Sequence, residues 1–139
     1  MPPAIARKLV IIFLRLLGFN SMLALLFLLM PFHWIQEIHA WLGLGEMSYS
    51  PITAYLTRSV CLFYGIFGAN FIVVSFDIDR YARLITFWGV MIVVAGIVLM
   101  IVDWQERLPL SWILSEGVGA IIFGLFFLWL LRSIGRVKE

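Results

Sequence analysis

Arg58 and Glu116 are ionisable residues set inside long apolar runs. A charge held away from water is costly, so each marks a candidate functional site. Both lie about one or two turns inside the same end of their runs, at a rise of roughly 1.5 Å per residue. A cation and a carboxylate at matched depth can form a buried ion pair, hold a polar ligand or relay a proton. Small residues share their helical stripes. Leu62, Gly65 and Ala69 follow Arg58, while Ala120 and Gly124 follow Glu116, with Gly117 adjacent. Small residues let membrane helices approach closely, so the spacing predicts that Arg58 and Glu116 meet between the second and fourth helices. Asp103 shares a stripe with Gly89, Gly96 and Met100. It lies at the same end and either joins that cluster or is a wet helix end.

A second group stands at the same surface. His33 and Glu37 are four residues apart and share a helical face, with Trp34 beside them and Trp112 at the start of the last run. Two histidines and a carboxylate can ligate a metal, but His39 is two residues past Glu37 and points elsewhere. No H-E-x-x-H pattern occurs. These residues read as interfacial polar groups, and no metal is expected. Phosphate loops, G-x-S-x-G elbows and haem-attachment motifs are missing. Cys61 is the one cysteine, so no redox pair exists within the chain and Cys61 reads as an apolar packing residue. No catalytic set emerges.

The elements that carry these residues are four apolar runs, about 10–30, 55–76, 84–102 and 112–131. A hydrocarbon core of about 30 Å takes roughly 20 helical residues, and only helices satisfy every backbone polar group in a single lipid-exposed segment. Hydrophobic residues make up 63% of the 139-residue chain and charged residues 13%. Soluble domains carry about 25% charged residues, so an aqueous fold would expose large apolar patches. The expected fold is an all-α transmembrane four-helix up-down bundle, a single domain over 1–139. The net charge of +2 does not point to nucleic acid, because the basic residues flank the helix ends.

Arg7, Lys8, Arg80, Arg83, Arg132, Arg136 and Lys138 fall on one side of that topology, and Arg107 on the other. The positive-inside rule then places both termini in the cytoplasm, in what reads as a bacterial inner membrane. Arg15 interrupts the first run, which reads as a retained helix rather than a signal peptide. Asn20, deeper in the same run, is expected to bond another helix. The outer loop 31–51 carries Trp34, Ile38, Trp41 and Leu42 at helical spacing. It predicts a short helix lying in the headgroup region, ended by Gly43 and Gly45.

Tyr55, Arg58-Ser59, Tyr64-Gly65 and Gly68, together with Glu116-Gly117 and Gly124, give a layout that resembles small bacterial four-helix membrane proteins of the DoxX-like kind. The resemblance implies a four-span bundle, and some members are linked to quinone or thiol redox systems. The thiol link does not carry over to a chain with a lone cysteine. The expected function is a non-enzymatic membrane protein, an accessory subunit or a small-ligand-binding bundle. Its partners would be the bilayer and other membrane subunits or further copies of itself. The alternatives are a redox-associated component that holds a quinone or lipid near Arg58, Glu116 and Trp112, or an oligomeric channel or transporter.

Overall fold

A computed structural model describes residues 2–135. Arg136 and Lys138, which entered the topology count, lie outside the described residues. Those described are all-α. Helix α1 (Pro3–Met22) runs into α2 (Ala24–Leu29) across a single turn residue, Leu23. There the Leu26 N–H reaches back only three residues, to the Leu23 carbonyl at 3.0 Å, which tightens the turn without breaking the axis. Helix α3 (Phe32–Trp41) follows, then α4 (Pro51–Val74), α5 (Ala82–Gln105) and α6 (Leu110–Ile113). A π-helical turn, Leu114–Val118, joins α6 to α7 (Gly119–Gly135).

Four helical stretches have spanning length: Pro3–Leu29, Pro51–Val74, Ala82–Gln105 and Leu110–Ile134, of 27, 24, 24 and 25 residues. All four expose large apolar side chains, such as Leu16, Phe63, Val98 and Ile122. Exposed apolar surface on this scale is stable only against lipid or another apolar partner. The chain is a small membrane protein. The first stretch begins at Pro3, earlier than the apolar run. A helix can continue past the lipid boundary, and proline suits a first turn because its missing N–H would be unpaired there anyway.

Residues Leu14–Val73 form one compact unit. Within it, α1–α2 and α4 are antiparallel. A Cβ on Gly18 would meet the Gly68 carbonyl at 2.8 Å, and one on Gly68 would meet the Gly18 carbonyl at 2.6 Å. One turn along, a Cβ on Gly65 would strike the Leu25 side chain. The ridge of α4 that packs inward carries Ala54, Gly65 and Gly68. Leu62 and Ala69, expected on that ridge with Arg58, are exposed, because a stripe repeating at three and four residues passes through Cys61 and Gly68 instead. Asn20 is also exposed, since it sits two positions, or about 200°, from the packed Gly18. Ser50 starts α4, its Oγ accepting the Thr53 N–H at 3.1 Å, a helix N-cap. The short helix expected in the first outer loop is α3. Its Phe32 and Ile35 pack on Ala54, with Phe27, Met30 and Met47 around them. It stops at Gly43, whose φ of +76° suits glycine.

The other unit comprises Met1–Phe13 and Val74–Glu139. Its α5 and α7 are antiparallel, and glycines seven residues apart bring α5 against the π turn and α7 in succession. A Cβ on Gly96 would lie 2.8 Å from the Gly117 carbonyl, and one on Gly124 would lie 3.3 Å from the Gly89 carbonyl. Phe13 packs onto α7 with ring centroids 4.8 Å from Phe123 and 5.6 Å from Phe126. Arg7 pairs with Asp79 at 2.7 Å. That contact puts the start of α1 and the 77–81 turn at one end of this unit, as required if both border the same membrane face.

Candidate functional site

Arg58 is the eighth residue of α4, roughly 10 Å along the axis from Pro51 at 1.5 Å per residue. Its Nε donates to the Leu28 carbonyl at 3.3 Å. That carbonyl needs a donor. Met30 turns to an extended conformation (ψ 141°) ahead of Pro31, so α2 ends there and leaves its last carbonyls without helical partners. Arg58 therefore caps α2 from the neighbouring helix. It also lines a cavity of about 430 Å³ with Tyr49, Tyr55, Ser59, Leu28 and Leu62. The Tyr49 ring is held edge-on to Phe32, with centroids 5.3 Å apart, so the same packing that seats α3 shapes this cavity.

A second, larger cleft of about 510 Å³ in the same unit is lined by His33, Gln36, Glu37 and Glu46. The spacing of His33 and Glu37 is thus realised as a shared face, and Glu46 arrives from the following loop. Gln36, which the sequence did not single out, and His39, read there only as an interfacial polar group, hold that loop in place. Gln36 Nε2 donates to the Met47 carbonyl at 2.6 Å, and His39 Nδ1 bonds the Gly45 carbonyl at 3.0 Å. A carbonyl partner requires His39 to carry its proton on Nδ1. Among the described residues, no three metal-ligating side chains come together. Trp34 and Trp41 are exposed on α3, and Trp34 lies edge-on to the His33 ring at 6.0 Å.

Asp103 and Glu116 lie in the other unit from Arg58. Asp103 is buried on the stripe of α5 that carries Ile85, Gly89 and Gly96, as its spacing predicts. Only 4% of it is exposed, and among the described residues no donor reaches its Oδ2. It is not a wet helix end, because α5 continues to Gln105 and keeps Asp103 on the packed face. Glu116 is half-buried on the π turn, next to Gly117, whose added Cβ would meet Met100 at 2.7 Å. The antiparallel register places Asp103 one turn beyond Met100. Both carboxylates thus belong to one end of the α5–α7 pair.

The π turn is a feature the sequence reading did not include. Its only sequence signal is Gly117-Val118-Gly119, where two glycines lower the cost of a widened turn. Such turns often mark functional positions. Ser115 Oγ donates to the Trp112 carbonyl at 3.0 Å within it. A third cavity, about 370 Å³, is lined by Trp104, Arg107, Leu108, Leu110 and Ile113. Trp112 is half-buried beside it in sequence. Comparison with family models, with curated proteins and with solved structures finds no match to this chain.

Proposed function

We propose that this chain is a non-enzymatic integral membrane protein of a bacterial inner membrane that binds a small membrane-resident ligand. The observation that carries the reading is Arg58. It is a cation within a helix of spanning length, and it borders a cavity of about 430 Å³, a volume in the usual range for small-molecule sites. The cavity combines apolar walls with a few polar groups, as such sites do. With both termini cytoplasmic, this cavity lies at the outer end of its helices. That topology puts the start of α1 and the 77–81 turn on one side of the membrane, and the Arg7–Asp79 pair joins those two segments.

Organic extraction of the purified protein, followed by mass spectrometry, tests the reading. A small amphiphile at near-stoichiometric amount is expected, and Leu62→Trp, which narrows the cavity, should reduce it. Absence of any retained amphiphile, together with absence of thermal protection by added lipids and quinones, would refute the reading.

A further inference from the structure

We infer that the Arg58 cavity recognises an oxyanion, a phosphate or carboxylate carried on an acyl-chain amphiphile. The inference rests on the ligand-binding reading above and specifies its chemistry. An arginine has five N–H donors in a rigid planar fork. In Arg58 the Nε–H goes to the Leu28 carbonyl, which fixes the fork on α4 and leaves the four Nη–H donors for other acceptors. A planar pair of such donors fits two oxygens of a phosphate or carboxylate.

Charge decides between an anion and a neutral carbonyl. The acidic residues of the Leu14–Val73 unit are Glu37 and Glu46, and both line the other cleft. No carboxylate lines the Arg58 cavity. A neutral ligand such as a quinone would accept a hydrogen bond but leave the guanidinium charge uncompensated in an apolar region, which is expensive. An oxyanion supplies the hydrogen bonds and the countercharge together. Tyr49, Tyr55 and Ser59 bring hydroxyl groups to the same wall, and Leu28 and Leu62 supply apolar surface where a chain can lie. Leu62 is 44% exposed, so the cavity is open on its apolar side.

The test is native mass spectrometry of the full chain in neutral detergent. It is titrated with phosphatidylglycerol, with diacylglycerol of the same chains, with a fatty acid and with a ubiquinone. Phosphatidylglycerol and the fatty acid should bind more tightly than diacylglycerol, which carries the chains without an oxyanion, by about tenfold, the worth of one charge-assisted hydrogen bond. Arg58→Gln should abolish that preference, and Arg58→Lys should keep part of it. Leu62→Trp leaves the charge in place and should weaken both anionic amphiphiles. Inorganic phosphate separates the sources: failure to compete at millimolar concentration supports an amphiphile, and full displacement overturns one. Equal binding of phosphatidylglycerol to wild type and to folded Arg58→Gln overturns the oxyanion assignment. Tight ubiquinone binding without anionic preference overturns it too, but leaves the ligand-binding reading standing. Binding of none of these amphiphiles overturns both.

Discussion

Replacing Gly68 by alanine tests the closest approach to backbone atoms in the Leu14–Val73 unit. The added Cβ would sit 2.6 Å from the Gly18 carbonyl oxygen and 2.8 Å from the Met22 nitrogen. The first distance falls about 0.8 Å short of the 3.4 Å at which ordinary contact begins. Both obstacles are backbone atoms, so no side-chain rotation relieves the clash, and the helices must move apart. A radial gap of 0.5–1 Å forfeits roughly a quarter to a half of each dispersion contact, and overpacking of this kind costs about 1–3 kcal/mol. The helix propensity of alanine would offset about 1 kcal/mol in water. In lipid that offset shrinks, because separated membrane helices remain helical. Gly119→Ala is the control, since its Cβ would lie 3.7 Å from the Leu114 carbonyl, an ordinary contact. Thermal unfolding in one detergent should show Gly68→Ala clearly destabilised and Gly119→Ala close to wild type. Equal midpoints for the two variants would refute the close-packing account.

Arg107 sits at φ +56° one residue past the C-cap of α5, where the Leu108 N–H closes on the Asp103 carbonyl at 2.9 Å. This left-handed position favours glycine. Arg107→Gly should therefore raise stability by about 0.5–1 kcal/mol, and a loss would mean that the arginine side chain is engaged. Asp103→Leu removes a buried acceptor that no described donor reaches. Unpaired groups of this kind cost about 1–3 kcal/mol, so the variant should melt higher than wild type, whereas a lower midpoint would show the carboxylate to be paired. Trp34 and Trp41, exposed on α3, should be quenched by bromine placed shallow in lipid chains more than by aqueous iodide. The reverse order would lift α3 away from the interface.

Length and apolarity were legible because lipid imposes both on a single segment. The four spans and the helix between the first two therefore follow from residue types alone. Gly89, Gly96, Gly117 and Gly124 were legible for a similar reason: a seven-residue repeat keeps them on one face, and only glycine admits carbonyl contact. The stripe on α4 was partly misread because Arg58, Leu62 and Ala69 also fit a helical repeat. Which of two adjacent stripes packs depends on the partner helix, here on Gly18 meeting Gly68. The loop anchors Gln36 and His39 were not legible, since each bonds a backbone carbonyl, and every residue offers one. The π turn at Leu114–Val118 depends on a hydrogen-bond shift that leaves no periodicity to read.

The two roles given to Arg58 do not compete, because they use different edges of one planar group. The first part of the chain ends its membrane stretch at Leu29, ahead of Met30 and Pro31, which leaves the Leu28 carbonyl without a helical partner. Some donor must reach it, and the Nε of Arg58 does. A lysine at this position has a charge and three donors on one nitrogen, but no planar fork to match two oxygens of an anion while another edge caps Leu28. A glutamine can cap but brings no charge. Stability and ligand preference should therefore separate across the series at position 58. Glutamine should keep much of the cap's contribution and lose the preference for an anion, and lysine should compromise both in part. A cap alone would need no positive charge, so the choice of arginine in a helix of spanning length is accounted for by the cavity as well as by the carbonyl.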